Sequence, residues 1–259
     1  MFAVVSPAKK MKPTALKTSV LTTPVFSSQT KALVEVMQTK TTQDLRDLMK
    51  VSEKIANLNV ERFSTFDTEN ASAGDPAVGL FAGDTYVGLD AQSLTEDDLD
   101  YAQKHFGILS GLYGLLAPLD TIQPYRLEMG TKLKTEKGKN LYQFWGDQVT
   151  DTLAAKFGEG SKYLINLASN EYFSVLNPQR LQDEFGITTI TPVFKEIDKK
   201  NGTGKMKIIS FNAKRARGMM ARYMIQHRLD TPTALQQFTD GGYSFRKDLS
   251  SDTEYIFVR

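Results

Sequence analysis

Basic side chains recur at helical spacing near the end of the chain, in a pattern that could bind phosphate groups. At about 100° per residue, they occupy one side of a predicted helix over 212–228, and they are Lys214, Arg215, Arg217, Arg222 and Arg228. Rows of arginine and lysine suit phosphate backbones. A solvated helix face with acidic partners elsewhere would give the same pattern, so both interpretations stay open.

The segment from Ile108 to Gly130 predicts a second phosphate-binding element. It reads ILSGLYGLLAPLDTIQPYRLEMG. We expect a helix that ends at Leu109, a tight turn over 110–114 and a second helical turn that begins at Leu115. Such a helix–hairpin–helix offers backbone amides to a phosphate at the N-terminus of its second helix.

The amides in this turn belong to Gly111, Tyr113 and Gly114. Helix–hairpin–helix elements of DNA-repair proteins usually read Leu-Pro-Gly-Val-Gly. Here Ser110 replaces the proline, and one extra residue separates the glycines. The glycines could therefore bind phosphate or could only permit the bend.

Polar residues follow two predicted strands, where α/β proteins commonly bind ligands. Lys9 and Lys10 come after the first strand, and either could bind phosphate or act as an amine nucleophile if it is desolvated. They could also be an ordinary surface pair. Asn170 and Glu171 follow a later strand, where Asn170 could contact phosphate or cap a helix.

Two further charged residues lie in turns. Asp84 lies between glycines in the segment AGDTYVG, where it could act as an acid–base group or could simply favour the turn. Arg126 follows a proline and a tyrosine, and it could bind phosphate or pair with Glu128. Candidate catalytic groups are therefore Lys9, Asp84 and Glu171, although no catalytic signature unites them.

The elements that must position these residues alternate between strands and helices. β-Rich apolar runs at 2–5, 163–168 and 206–211 each lead into a polar turn, and the run at 188–194 is β-branched and alternating. Turn residues at 201, 202 and 204 predict a hairpin between the last two runs, so we expect a mixed sheet. Helices are predicted over 29–39, 42–57, 96–109 and 140–157, with a loop over 64–78.

Composition limits the chemistry. The chain has 259 residues, and its net charge of +2 means that a nucleic-acid binder must cluster its basic residues. The absence of cysteine excludes disulfides and thiol-based peroxide reduction. The only histidines, His105 and His227, lack metal-site spacing, so we expect neither a metal nor a cofactor. No apolar run reaches membrane-spanning length, and we expect a cytoplasmic protein.

Several blocks together resemble one known family. They are SPAK at 6–9, GDTYVGL at 83–89, LSGLYGLLAPLD at 109–120, QPYRLEMG at 123–130, LYQFWGD at 141–147, INLAS at 165–169, EYF at 171–173, and KIISF with AKRARG within 207–218. In this order and over essentially the whole chain, they resemble the YaaA family of bacterial peroxide stress proteins.

The resemblance implies resistance to hydrogen peroxide and low levels of unincorporated intracellular iron. It also implies DNA binding, a fold particular to the family, a helix–hairpin–helix over the turn at 110–114 and a positively charged cleft. Residues that would contribute to the cleft are Lys9, Lys10, Arg126, Lys214, Arg215, Arg217 and Arg222.

We therefore expect a single α/β domain over 1–259, with a mixed central sheet, surrounding helices and a basic cleft. The leading hypothesis is a peroxide stress protein that binds duplex or damaged DNA through phosphates, without strong sequence readout. One alternative is a lysine-dependent enzyme that acts on a DNA lesion or a nucleotide. Another is a non-catalytic regulator of iron homeostasis that acts through a protein partner.

Overall fold

The computed structural model describes residues 1–18, 20–70, 73–159, 162–198 and 205–259. The strands of this part of the chain are β1 Phe2–Val5, β2 Asp75–Pro76, β3 Phe106–Ser110, β4 Gly114–Leu116, β5 Thr121–Ile122, β6 Lys162–Leu167, β7 Ile187–Ile197, β8 Met206–Lys207, β9 Ser244–Phe245 and β10 Glu254–Val258. The α-helices are α1 Ser27–Gln38, α2 Thr42–Met49, α3 Glu53–Ser64, α4 Ala77–Leu80, α5 Asp84–Leu89, α6 Glu96–His105, α7 Leu141–Trp145, α8 Gln148–Ala154, α9 Asn170–Phe173, α10 Pro178–Phe185 and α11 Ser210–Gln226.

The centre of the molecule is a mixed sheet of eight strands, as the sequence predicts. Its strand order is β4-β3-β1-β6-β7-β10-β9, and β8 pairs with β7 beside this path. The inner strands β3, β1, β6, β7 and β10 run parallel, whereas β4, β8 and β9 are antiparallel additions. Every residue of β1 and β3 is buried, as expected for parallel strands that are covered on both faces.

The chain leaves two neighbouring strands in opposite directions. After β1 it crosses to β3 on one side, and after β6 it crosses to β7 on the other side. The reversal creates a topological switch point between β1 and β6, and ligands of open α/β sheets bind in the crevice at such points. The polar turns that follow these two strands therefore lie where a ligand site is expected.

A close crossing of α5 and α11 forms one side of this crevice. A Cβ atom on Gly218 would lie 2.8 Å from the backbone nitrogen of Leu89 and closer still to the carbonyl oxygen of Thr85. A Cβ atom on Gly88 would lie 2.9 Å from the backbone nitrogen of Met219. The two glycines therefore allow the helix backbones to touch, and this contact sets the position of the basic helix.

The predicted helix–hairpin–helix is wrong. Helix α6 ends at His105, and the residues on both sides of the turn form β3 and β4, which pair antiparallel from Ser110 with Gly114 onward. The run at 106–110 joins the sheet because it is wholly apolar except for its last residue and pairs in parallel with β1. Tertiary strand pairing thus overrides the helical pattern that continues from α6.

Four other expectations need correction. The helices expected at 42–57 and 140–157 are each divided in two, at Lys50 and Gly146, which both have positive φ angles of 54° and 49°. The strand expected at 206–211 is confined to β8, because α11 begins at Ser210. β8 does pair antiparallel with β7 as predicted, whereas the predicted turn residues 201, 202 and 204 lie outside the described residues. The expected loop at 64–78 also contains β2 and the beginning of α4.

Within the described ranges, no helix combines the length and the apolar character needed to cross a bilayer.

A candidate binding cleft at the switch point

A cleft of ≈ 680 Å³ lies at the carboxyl ends of β1 and β6, and we call it the switch-point cleft. Its walls come from the turn after β1, the beginning of α5, the turn after β6 and the middle of α11. Its charged side chains are Lys9, Lys10, Asp84, Glu171, Lys214 and Arg217. Four cations thus face two carboxylates across segments that are far apart in the sequence.

Hydrogen bonds at Ser6 connect three of these walls. The backbone N–H of Ser169 donates to the Ser6 hydroxyl oxygen at 2.9 Å, which joins the turns after β1 and β6. The Tyr86 hydroxyl donates to the Ser6 carbonyl oxygen at 3.1 Å, which joins α5 to the same point. Burial raises the pKa of Tyr86 well above its ordinary value, so this phenol remains a neutral donor.

The beginning of α5 packs closely against the turn after β1. Ala82 donates its backbone N–H to the Lys10 carbonyl oxygen at 2.9 Å. A Cβ atom on Gly83 would lie only 3.0 Å from the Cβ atom of Ala8, so the absence of a side chain permits this approach. The next residue, Asp84, therefore lies in the same wall as Lys10.

Arg217 is the most unusual cation of the cleft. Its side chain is partly buried, and desolvation lowers the pKa of its guanidinium below the ordinary value. Among the residues that the structure describes, it has neither an ion pair nor a hydrogen bond. A partly desolvated charge without a partner is less stable than a fully hydrated one, and an anion in the cleft would stabilise it.

Two lysines add exposed positive charge to the cleft. Lys214 lies three residues before Arg217, on a neighbouring part of the surface of α11. Lys10 is exposed in the turn after β1. Neither forms an ion pair within the described part of the chain, so both ammonium groups can bind an incoming anion.

The carboxylates have different environments. Glu171 accepts the backbone N–H of Gly130 at 3.1 Å, so it fixes the end of the segment 123–130 against the cleft. Asp84 accepts no hydrogen bond and forms no ion pair among the described residues. Asn170 begins the short helix α9 beside Glu171 and lines the cleft.

Arg126 lies in a small cavity next to the cleft, which it shares with Lys9. Both cations bind Glu128: the distances to its Oε1 atom are 2.9 Å from Arg126 Nη2 and 3.1 Å from Lys9 Nζ. The sequence left open whether Arg126 binds phosphate or pairs with an acid, and the structure shows the pair. Glu128 therefore offsets part of the positive charge at this end.

The glycine turn lies away from the cleft. Gly111, Tyr113 and Gly114 are buried. The carbonyl oxygen of Gly111 accepts the Trp145 indole N–H at 3.1 Å, and the Tyr113 hydroxyl accepts the backbone N–H of Gln123 at 3.1 Å. The Ser110 hydroxyl accepts the backbone N–H of Tyr113 at 2.9 Å. These contacts give the turn a structural role inside the core.

The cations predicted on one helix lie in several different surroundings. Arg222 donates to the carbonyl oxygens of Leu89 and Asp90 at the end of α5, and Arg228 pairs with Asp98 at 2.8 Å. Arg215 lines a second cavity of ≈ 340 Å³. The predicted row of five cations thus contributes only Lys214 and Arg217 to the switch-point cleft.

Sequence reasoning missed Ser6 and Tyr86 as parts of the site. Ser6 could have been found, because it is the first polar residue after a fully apolar strand. The role of Tyr86 depends on a contact across 80 positions and has no local signal. Within the part of the chain that the structure describes, no group of three His, Cys, Asp or Glu side chains could hold a metal ion.

The fold and the cleft define an α/β protein with a polar cleft, lined by four cations and two carboxylates, at the switch point of a mostly parallel sheet. A family model described as "Peroxide stress protein YaaA" matches residues 1–249. The chain is 49% identical over 265 residues to UPF0246 proteins of two Aliivibrio fischeri strains, ES114 and MJ11, and 47% identical over 261 residues to a UPF0246 protein of Ruegeria pomeroyi. Each alignment covers 100% of this chain and 98% of the relative. The chain therefore belongs to the YaaA family of peroxide stress proteins, which confirms the resemblance found in its sequence.

Proposed function

We propose that this cytoplasmic peroxide stress protein binds duplex or damaged DNA through phosphate groups held in the switch-point cleft. The observation that carries the proposal is Arg217, a partly buried guanidinium without an anionic partner among the described residues. Lys214 and Lys10 extend the positive charge from Arg217 to the surface. Phosphate contacts of this kind carry no base information, so binding is expected to be largely independent of sequence.

The same binding gives a physical route to protection against iron. Cations that neutralise phosphates release the counterions condensed on the DNA. Unincorporated ferrous ions are among the cations that such a protein would displace, and radicals would then form farther from the bound DNA. On this proposal, the limit on iron-driven damage follows from occupancy of the DNA.

The test is the salt dependence of DNA binding by Arg217→Ala and Lys214→Ala, measured by fluorescence anisotropy. Each variant should weaken binding, and the removal of one phosphate-binding cation should lower the slope of log K against log salt by about 0.9. Arg246→Ala is the matched control, because it also removes one positive charge but from a residue paired with Asp248 outside the cleft. Equal affinities and slopes for all three variants and the wild type would contradict the proposal.

A second candidate function is favoured by the carboxylates. Asp84 has no partner among the described residues and would repel phosphate in a cleft that only binds DNA, whereas a reaction that uses a lysine amine needs an acid–base group nearby. Lys9 is bound to Glu128, and Lys10 has no ion pair in the described ranges, so Lys10 is the freer amine. Such an amine would attack the aldehyde carbon of an abasic site and expel water, forming a Schiff base.

Borohydride reduction in the presence of abasic-site DNA tests this candidate. A covalent adduct that is abolished in Lys10→Ala and retained in Lys214→Ala would support lysine chemistry by Lys10. The absence of an adduct, with DNA binding intact, would leave the protein as a binder.

A further inference from the structure

Two large apolar side chains are exposed at the beginning of α11 and just before it. Phe211 has 61% of its surface exposed and Ile208 has 56%. No aromatic ring in the described part of the chain stacks on Phe211. A single exposed apolar side chain is ordinary on a protein surface, but an exposed aromatic ring next to cations of a cleft is a candidate ligand contact.

Helix geometry places this ring between two groups of cations. Lys214 and Arg215 follow Phe211 by three and four residues, which puts both next to it on the surface of α11, with Cβ atoms roughly 5–6 Å apart. Lys214 lines the switch-point cleft. Arg215 lines the second cavity, together with Asn212 and Arg259. Around the axis of α11, Phe211 therefore lies between a residue that lines one cavity and a residue that lines the other.

An aromatic ring with cations beside it has the chemistry to bind one nucleotide, with the base on the ring and the phosphate at the cations. Proteins that bind single strands stack bases on aromatic side chains, and they neutralise the adjoining phosphates with lysine and arginine. In an intact duplex both faces of a base are already stacked on its neighbours. An exposed Phe211 therefore gains stacking only from a base that is unpaired or unstacked.

We propose that Phe211 is a stacking platform for an unpaired nucleobase, so that the preferred ligand is nucleic acid with single-stranded or unstacked bases. The inference rests on the proposed function, because it assumes that phosphates bind Lys214 and Arg217. It adds a preference for unpaired or unstacked bases over an intact duplex, which positive charge alone does not provide.

The experiment compares three labelled ligands of equal length and strand charge by fluorescence anisotropy at low salt. They are an oligothymidylate, the same backbone made wholly of abasic residues, and a duplex. Phe211→Ala should weaken oligothymidylate binding about fivefold or more, the decrease expected when one base no longer stacks. Its affinities for the abasic strand and the duplex should change less than twofold.

Two further variants sharpen the test. Ile208→Ala is the control, because it also shortens an exposed apolar side chain but removes no ring. Phe211→Trp should keep the affinity, and its emission should be quenched by oligothymidylate but not by the abasic strand. The single native tryptophan, Trp145, is fully buried and supplies a constant background.

The outcomes separate the two proposals. Equal effects of Phe211→Ala on all three ligands, or none on any, would overturn the stacking platform while cleft binding stands. If the wild type binds none of the three ligands, both proposals fail. If the Phe211 variants alter only the capture of a protein, the surface around Phe211 is a protein interface and the stacking proposal is wrong.

Discussion

Substitution of Gly218 by alanine tests whether the contact between α5 and α11 holds the cleft together. In the interior of an exposed helix, alanine stabilises by about 1 kcal/mol relative to glycine. At this position the added Cβ atom would lie 2.8 Å from the backbone nitrogen of Leu89 and closer to the Thr85 carbonyl oxygen, where ordinary contacts begin at 3.4 Å. The opposing atoms are backbone, so the helices themselves must separate by more than half an ångström.

Such overpacking costs about 1–3 kcal/mol, and the rigid opposing backbone places this site at the upper end of that range. After the helix-propensity gain is subtracted, we expect Gly218→Ala to lower the free energy of unfolding by about 2 kcal/mol. For a chain of this size, the midpoint of thermal unfolding should fall by about 4–8 °C. DNA affinity should fall as well, because Lys214 and Arg217 move away from the other walls of the cleft.

The assay is guanidinium and thermal unfolding followed by circular dichroism. Gly158→Ala is the matched control, because a Cβ atom at Gly158 would meet nothing within 4 Å. It should change the free energy of unfolding by less than about 0.5 kcal/mol. If Gly218→Ala proves as stable as the wild type, or more stable, the close helix crossing does not constrain the cleft as argued.

Three more predictions follow from particular contacts. Glu128→Gln removes the carboxylate that pairs with Lys9 and Arg126. DNA affinity, measured by anisotropy titration at low salt, should therefore rise. A fall in affinity would show that Glu128 instead orients these cations for binding. Trp145→Phe leaves the buried carbonyl oxygen of Gly111 without its indole donor, and urea unfolding followed by circular dichroism should show a decrease in stability of about 1–3 kcal/mol. Burial raises the pKa of Asp120 above its ordinary 3.8, so the folded state binds this proton more tightly than the unfolded state. The stabilising contribution of Asp120 is therefore fully present below pH 3.8, and it is lost as the pH rises through the folded-state pKa. Over that interval, the wild type should lose stability relative to Asp120→Asn. Parallel pH profiles of the free energy of unfolding would refute the assignment.

Much of the cleft could be predicted because parallel strands impose a simple rule. The apolar runs at 2–5 and 163–168 are recognisable as strands, and the residues that follow such strands meet at one edge of the sheet. This rule predicts that Lys10 and Asn170 lie at a ligand site, and both line the cleft. Helical periodicity likewise placed Lys214 and Arg217 on one helix, although it could not say which neighbours they would meet.

The glycine turn illustrates the limit of local patterns. Its sequence fits a bend between helices as well as a bend between strands, because glycine and serine favour both. The choice depends on the pairing of 106–110 with β1, a partner about a hundred residues earlier in the chain. Pairing at that distance leaves no trace in the local sequence.

The sequence by itself determined the mixed α/β class, the strands at 2–5, 163–168 and 188–194, the polar turns after the first two of them and the membership of the YaaA family. Local hydrophobic periodicity and whole-chain resemblance are enough for these conclusions. Only the tertiary structure decided that Arg217 is desolvated without a partner in the described chain, whereas Arg222 is bound to carbonyl oxygens at the end of α5. The two arginines share one helix, and their surroundings differ because the distant segments packed around that helix supply different partners.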